Sequence, residues 1–155
     1  MPAPAFFEAS NLLSMRIRPL TLEDASSLVP LCEQLGYPSS AAHIEARLRR
    51  ILPMREHAAF AAEVDGQIAG WIHVHESLNV ESGPYAEIAG LVVTSGLRRK
   101  GVGRALVDEA RRWARESGFQ SLYVRSNVER RESHPFYEGL GFRRIKTSHV
   151  YTRAP

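Results

Sequence analysis

Apolar and polar residues alternate across residues 15–20 (MRIRPL), the period-two pattern of a half-buried strand. The period then lengthens: Leu22, Ala25, Leu28, Val29, Leu31 and Cys32 recur on one helical face until Gly36 stops it. Thr21, with Asp24 three residues on, reads as the N-cap of that helix, and Cys32 falls on its packing face. Ser39 and Ser40 open a second helix with Ile44, Leu48, Ile51 and Leu52 on one side and Arg47, Arg49 and Arg50 mostly off it; Pro53 closes it. Two apolar runs, 57–64 and 67–75, flank Asp65 and Gly66, a pair suited to a hairpin turn in which both residues take positive φ. The polar stretch ESLNVESGP reads as a loop, and residues 85–94 as a buried, β-branched strand. A basic loop with glycines leads into a helix over about 101–117, carrying Val102, Leu106, Ala110, Trp113 and Ala114 and stopped by Gly118. Residues 121–126 predict a strand and 134–140 a short helix, with Ser133 as its cap and Pro135 in its first turn. A final pair of short strands is expected over 142–151. The order β-α-α-β-β-β-α-β-α-β-β describes an α/β domain with a mixed sheet.

Composition narrows the classes. With 155 residues, 44% hydrophobic and 24% charged, the chain can bury a core without disulfides or metal. Residues 15–155 read as one domain. Residues 1–14 lack the basic and apolar regions of a signal peptide. They form either a poorly ordered extension or a segment that docks through Phe6, Phe7, Leu12 and Leu13. No apolar run approaches the ~18 residues of a membrane helix, so a soluble, cytoplasmic protein without a membrane partner is expected. The lone cysteine, Cys32, excludes an internal disulfide and a cysteine metal knuckle. His73 and His75 share a strand face without a third ligand at suitable spacing, so a structural or substrate-lining role is expected and no metal. The net charge of +3 is too mild to argue for nucleic acid. Arg111, Arg112 and Arg115 read as a solvated helix face without aromatic interleaving.

The segment Arg98, Arg99, Lys100, Gly101, Val102, Gly103, Arg104 places four cations and two glycines between a strand and a helix. A helix N-terminus offers unpaired N–H groups and a positive dipole end, for which phosphate is the natural guest. The segment is neither a P-loop nor a complete dinucleotide fingerprint. Arg98-x-x-Gly101-x-Gly103 follows the strand EIAGLVV, and FYEGLGF comes at 136–142 after one more strand. With these motifs the chain resembles the GNAT superfamily of acyl-CoA-dependent N-acetyltransferases, from about Met15 to Arg153. The resemblance implies a mixed, mostly antiparallel sheet with a splayed central strand pair, flanked by about four helices, and acetyl-CoA as co-substrate.

It also implies roles for particular residues. The loop amides from Arg98 to Arg104 would bind the coenzyme pyrophosphate, and the backbone of Leu91, Val92 and Val93 would pair with the pantetheine arm like an added strand. Tyr137 would protonate the leaving thiolate, and Glu87, eleven residues before Arg98, stands where some relatives carry a general base. Many relatives have Asn seven residues before this tyrosine; here that residue is Arg130, and Asn127 lies three residues earlier. Either Asn127 reaches the coenzyme or Arg130 replaces the contact. Residues 76–87 offer Glu76, Glu81, Tyr85 and Glu87 without a basic residue, which suits a cationic amine, with Glu81 and Tyr85 as its selectors. The reading is transfer of an acetyl group to a primary amine of a small cationic molecule or peptide by direct attack. The alternatives are a non-catalytic acyl-CoA-sensing module and, further off, a nucleic-acid-binding protein. Edge strands of such sheets pair between chains, which leaves a homodimer open.

Overall fold

A computed structural model describes residues 14–155; the expectations for Phe6, Phe7, Leu12 and Leu13 lie outside the described residues. The chain forms two compact units, one running to Arg125 and the other Ser126–Pro155. The first holds β1 (Arg16–Pro19), α1 (Ala25–Leu35), α2 (Ala41–Ile51), β2 (His57–Val64), β3 (Gln67–Asn79), β4 (Gly83–Val93), α3 (Val102–Glu116) and β5 (Leu122–Val124). The strands follow one another across the sheet in chain order, β1 to β4 antiparallel and β5 parallel to β4. This is the mixed, mostly antiparallel sheet expected from the family resemblance.

Local chemistry sets each turn. Asp65 and Gly66 take φ of 51° and 76°, the left-handed pair a two-residue hairpin requires. Ser40 caps α2, its hydroxyl accepting the His43 N–H at 3.2 Å. Thr21 heads a single 3-10 turn, Leu22–Asp24, rather than α1 itself; Asp24 turns back to accept the Thr21 N–H at 2.8 Å. The same carboxylate receives two hydrogen bonds from Arg18 at 2.8 and 2.9 Å, and Arg18 also donates to Glu63. One half-buried guanidinium therefore ties β1 to β2 and to the entry of α1.

Each sheet face has its own cover. On one, Ile72, Val74, Ala86 and Ile88 meet Val102, Leu106, Val107 and Ala110 of α3, which crosses β2, β3 and β4. Gly70 permits that approach, since a Cβ there would lie 2.6 Å from the Val92 carbonyl oxygen and 3.3 Å from Leu106. On the other, Leu28, Ile44 and Leu48 of α1 and α2 close over Ala59 and Ala61, with Cys32 and Trp71 packed at the margin. The outer arginines Arg111 and Arg112 pair with Asp108, Glu109 and Glu116 on α3 itself.

Three expectations are corrected. The stretch ESLNVESGP is mostly strand: β3 and β4 stay paired out to Asn79 and Gly83. They run on past the core as a two-stranded ribbon, and Leu78 is 70% exposed, so no buried face imposes the alternation that would reveal a strand. In the second unit, α4 (Ser133–Gly139) begins at Ser133 after Glu132, without a side-chain cap, so Ser133 is a helical residue and not the cap. The strands expected over 142–151 are absent. There the apolar residues Ile145, Val150 and Tyr151 are exposed, so the alternation in the sequence corresponds to no buried side.

Candidate active site

The edge of β4 carries the first part of the site. The Thr94 N–H makes the last ladder bond toward β3, to the Ala69 carbonyl at 2.7 Å. Directions alternate along an antiparallel strand, so Val92 turns its N–H and C=O toward β3, while Leu91 and Val93 turn theirs to the opposite edge. On that side β5 pairs only with Ala86, Glu87 and Ile88. Beyond Ile88 the edge has no strand partner among the described residues. Of the three expected strip residues, Leu91 and Val93 thus present backbone groups, whereas Val92 commits its backbone to β3 and buries its side chain.

The strand leads directly into the cationic loop. Leu97, 2% exposed, anchors a 3-10 turn (Ser95–Leu97) to the core. Arg99 and Gly101 then take φ of 63° and 88°, and α3 starts. A left-handed backbone at a residue such as Arg99 costs on the order of 1 kcal/mol and concentrates at functional turns. The first intrahelical bond runs from Ala105 N–H to Gly101 C=O at 3.0 Å. The N–H groups of Val102, Gly103 and Arg104 therefore precede any helical carbonyl, and no side chain caps them. Arg98, Arg99 and Arg104 are exposed and Lys100 half-buried around these donors. Oriented N–H groups among cations fit a pyrophosphate.

A second cluster lies in register across β3, β4 and β5. His57 faces His75, His75 faces Glu87, and Glu87 faces Tyr123. Glu87 accepts the Arg125 Nε–H at 2.8 Å, and this carboxylate raises the Arg125 guanidinium above its ordinary value. The Tyr85 ring is buried against Tyr123 at 4.4 Å, and its hydroxyl accepts from Asn79 at 3.2 Å and from Arg125 at 3.4 Å. Hydrogen bonding by the Ser77 hydroxyl, then by Asn79 and Arg125, holds the Tyr85 hydroxyl below the usual tyrosine value. Glu81 is not brought into this group; it is exposed in the turn at the ribbon's tip.

The histidines form a stack. His57 Nδ1 and His73 Nε2 share a hydrogen bond of 2.9 Å, and the three rings of His57, His73 and His75 lie 5.2–5.8 Å apart. The His75 Nδ1–H donates to the Glu76 carbonyl at 2.8 Å. Burial, with His57 and His75 beside it, pushes the His73 pKa down to about 4, and burial lowers His57 as well. The rings stack rather than converge, and no metal-binding group of three His, Cys, Asp or Glu occurs among the described residues.

In the second unit α4 carries Tyr137, whose ring meets Phe136 and Phe142 edge-on at 5.1 and 5.6 Å. Burial raises the Tyr137 hydroxyl, and the Arg130 guanidinium partly offsets that rise. The Asn127 side chain closes its own turn, accepting the Glu129 N–H at 2.9 Å. Of the two residues in question for the coenzyme contact, Arg130 acts electrostatically on the Tyr137 hydroxyl, while the Asn127 side-chain oxygen is engaged by its own turn.

Sequence reasoning missed Arg125 and His57. Arg125 meets Glu87 only through the parallel pairing of β4 with β5, 38 residues away in the chain. His57 was hidden by a bulge. From the Asp65–Gly66 turn an unbroken ladder pairs His57 with Val74, but a shift after Ala62 and Glu63 pairs it with His75.

Comparison with known proteins gives the family. The acetyltransferase (GNAT) family matches residues 26–142. The chain is 32% identical over 144 residues to an aminoglycoside N(6')-acetyltransferase type 1 of Stenotrophomonas maltophilia, covering 90% of this chain and 92% of that one. It is 30% identical over 145 residues to the aminoalkylphosphonate N-acetyltransferase of Salmonella typhimurium, covering 89% and 90%. Among solved structures, the aminoglycoside N-acetyltransferase AAC(6')-Iy in complex with CoA shares the fold at a TM-score of 0.82 and 22% identity, over 90% of this chain and 94% of that one. The chain belongs to the acetyltransferase (GNAT) family and is an N-acetyltransferase with acetyl-CoA as acyl donor. No described helix is long and apolar enough to cross a membrane.

Proposed function

We propose that the protein acetylates a primary amine on a small cationic molecule, by direct attack of that amine on acetyl-CoA. One observation carries the reading: the outward backbone of Leu91 and Val93 runs straight into the uncapped, cation-ringed start of α3. That succession offers a strip for an amide-containing arm followed by a socket for its phosphates. The coenzyme supplies a thioester, whose C–S bond breaks as the amine nitrogen forms the new C–N bond. Loop amides from Arg98 to Arg104 hold the pyrophosphate, with Arg98, Arg99, Lys100 and Arg104 as counter-ions. An outward N–H of Leu91 or Val93 polarises the thioester carbonyl.

Proton traffic falls to side chains. An ammonium has no lone pair, so the acceptor must lose a proton, and Glu87 is the carboxylate we assign to receive it directly or through water. Tyr137 returns a proton to the thiolate. Unperturbed tyrosine and thiol differ by ~1.5 pKa units, or ~2 kcal/mol, so transfer completes as the C–S bond breaks. Tyr85, Tyr123 and Glu87 line the acceptor side, and the relatives named for an aminoglycoside and an aminoalkylphosphonate both act on amine-bearing compounds. Glu81, out on the ribbon, makes contact only with an extended acceptor such as a peptide.

The test is acetyl-CoA-dependent thiol release over a panel of primary amines, with the Tyr137→Phe variant beside the wild type. A general acid contributes roughly 10²–10⁴-fold, so the variant loses at least ~100-fold in kcat while its acetyl-CoA Kd stays within about twofold. Equal turnover removes Tyr137 from the mechanism, and no thiol release with any amine refutes the acceptor class.

A further inference from the structure

Gln34, exposed on the last turn of α1, reaches across to the end of β4. Its Nε2–H donates to the Val93 carbonyl at 2.7 Å, and its Oε1 accepts the Ser95 N–H at 3.3 Å. These groups flank the point where the chain leaves the sheet, Val93 as the last strand residue and Ser95 as the first of the turn into the cationic loop. One carboxamide thus satisfies a carbonyl and the N–H two residues further on.

The location matters because no strand among the described residues pairs with this edge. β5 stops pairing at Ile88, five residues short of Val93, and a strand edge without a neighbour is where a sheet frays most readily. The Val93 carbonyl is on the outward side, the side that Leu91 shares. A carbonyl oxygen has two lone pairs, so the bond from Gln34 leaves one for a second donor.

We propose that Gln34 is a positioning residue for the coenzyme. It clamps the open end of β4 to α1, holding the outward amides of Leu91 and Val93 in line and fixing where the chain departs toward Arg98. A backbone strip held before the ligand arrives loses less freedom on binding, and the difference appears as affinity. The proposal rests on the reading of Leu91 and Val93 as the strip for the coenzyme's amide-bearing arm. It adds a side chain that touches neither the amine nor the thioester.

The experiment compares wild type, Gln34→Ala and Gln34→Glu in the full chain. Acetyl-CoA titration calorimetry, steady-state kinetics in both substrates and the melting temperature without ligand are measured for each. Glutamate keeps an acceptor for the Ser95 N–H but loses the donor to Val93, so it behaves no better than alanine. The expected result is a rise in acetyl-CoA Kd and KM of roughly 3- to 10-fold in both variants, the scale of one or two partly exposed hydrogen bonds. In the same samples kcat and the amine KM stay within about twofold, and the unliganded melting temperature within ~1 °C, because Gln34 is exposed.

An unchanged Kd overturns the proposal. So does a lower Kd, which means the carboxamide occupies the coenzyme's own place. A melting temperature several degrees lower, with kcat and both KM values altered, shows a general structural role and overturns it too. Failure of the wild type to bind acetyl-CoA removes the underlying strip reading, an outcome distinct from all of these.

Discussion

Acidification should weaken this fold before its carboxylates titrate, through His73. This imidazole is buried beside His57 and His75 and stays neutral down to about pH 4, whereas an exposed histidine titrates near 6.5. Because the folded-state pKa is depressed, the unfolded chain binds the proton first as pH falls. The native state therefore has its full stability above about pH 6.5 and loses it progressively down to about 4. At pH 4.5 the difference in proton binding is worth roughly 2 kcal/mol after allowing for partial solvent access. The lowered pKa of His57 adds to it in the same direction. Glu56 favours the charged form of His57 and so opposes part of that addition. Burial pushes the Asp24 carboxyl up, but its bonds to Arg18 and Thr21 outweigh that and hold it low, so its stabilisation is lost only at still lower pH. The assay is urea unfolding followed by tryptophan fluorescence at pH 7.5, 6.5, 5.5 and 4.5, for wild type and His73→Leu. The wild type should lose about 2 kcal/mol more than the variant between the two end points. For a chain of this size that is a relative shift in melting temperature of ~4–8 °C. Equal losses in the two proteins, within ~0.5 kcal/mol, would mean that His73 charges as easily when folded as when unfolded.

Three further outcomes follow from named contacts. Gly90→Ala would bring a Cβ to 2.8 Å from two ring atoms of Trp71, which is packed at the margin of the α1–α2 core. The expected cost is about 1–3 kcal/mol in urea unfolding, and a neutral result would show that the indole moves freely. Arg18→Met leaves the buried Asp24 without its guanidinium, so stability at pH 7 should fall by about 3 kcal/mol; Arg18→Lys should recover only part of it, since one ammonium cannot replace the two-pronged contact. Arg130→Ala removes the one charge that lowers the Tyr137 hydroxyl, so ultraviolet titration of the tyrosines should show one phenol moving up in pH, absent from Tyr137→Phe.

The parts of this fold written locally were legible in the sequence. The Asp65–Gly66 turn, the helical periods ending at Gly36 and Gly118, and the basic run before Val102 each depend on neighbours a few residues apart. What depends on phase or on distant pairing was not. The choice of Leu91 and Val93 over Val92 as outward residues follows from which ladder bond comes last, information that no side chain carries. Glu87 was visible as a candidate carboxylate, but its pairing with Arg125 waits on a parallel strand that arrives after α3. The ribbon from β3 to β4 was hidden because strand patterning signals a buried face more than hydrogen bonding, and the ribbon has little of the former. The same rule misled in the opposite sense over 142–151, where alternation occurs without burial.

The irregularity between β3 and β4 has a consequence for how such a chain can change. Val74 pairs with Ile88 and His73 with Gly90, so Ala89 is one residue more than the partner strand supplies. That surplus puts Gly90 and Glu87, an odd number of positions apart, on the same side of the sheet. Deleting Ala89 would leave every pair in place, with Gly90 and Glu87 two positions apart and still opposite His73 and His75. Glu87 and Tyr85 would keep their side of the sheet, and Ile88 and Ala86 would stay under α3. What would go is the local bend and added twist that a bulge gives a strand, one residue beyond the point where β5 stops pairing at Ile88. A change of length by a single residue can therefore alter how this edge opens while each side chain keeps its face.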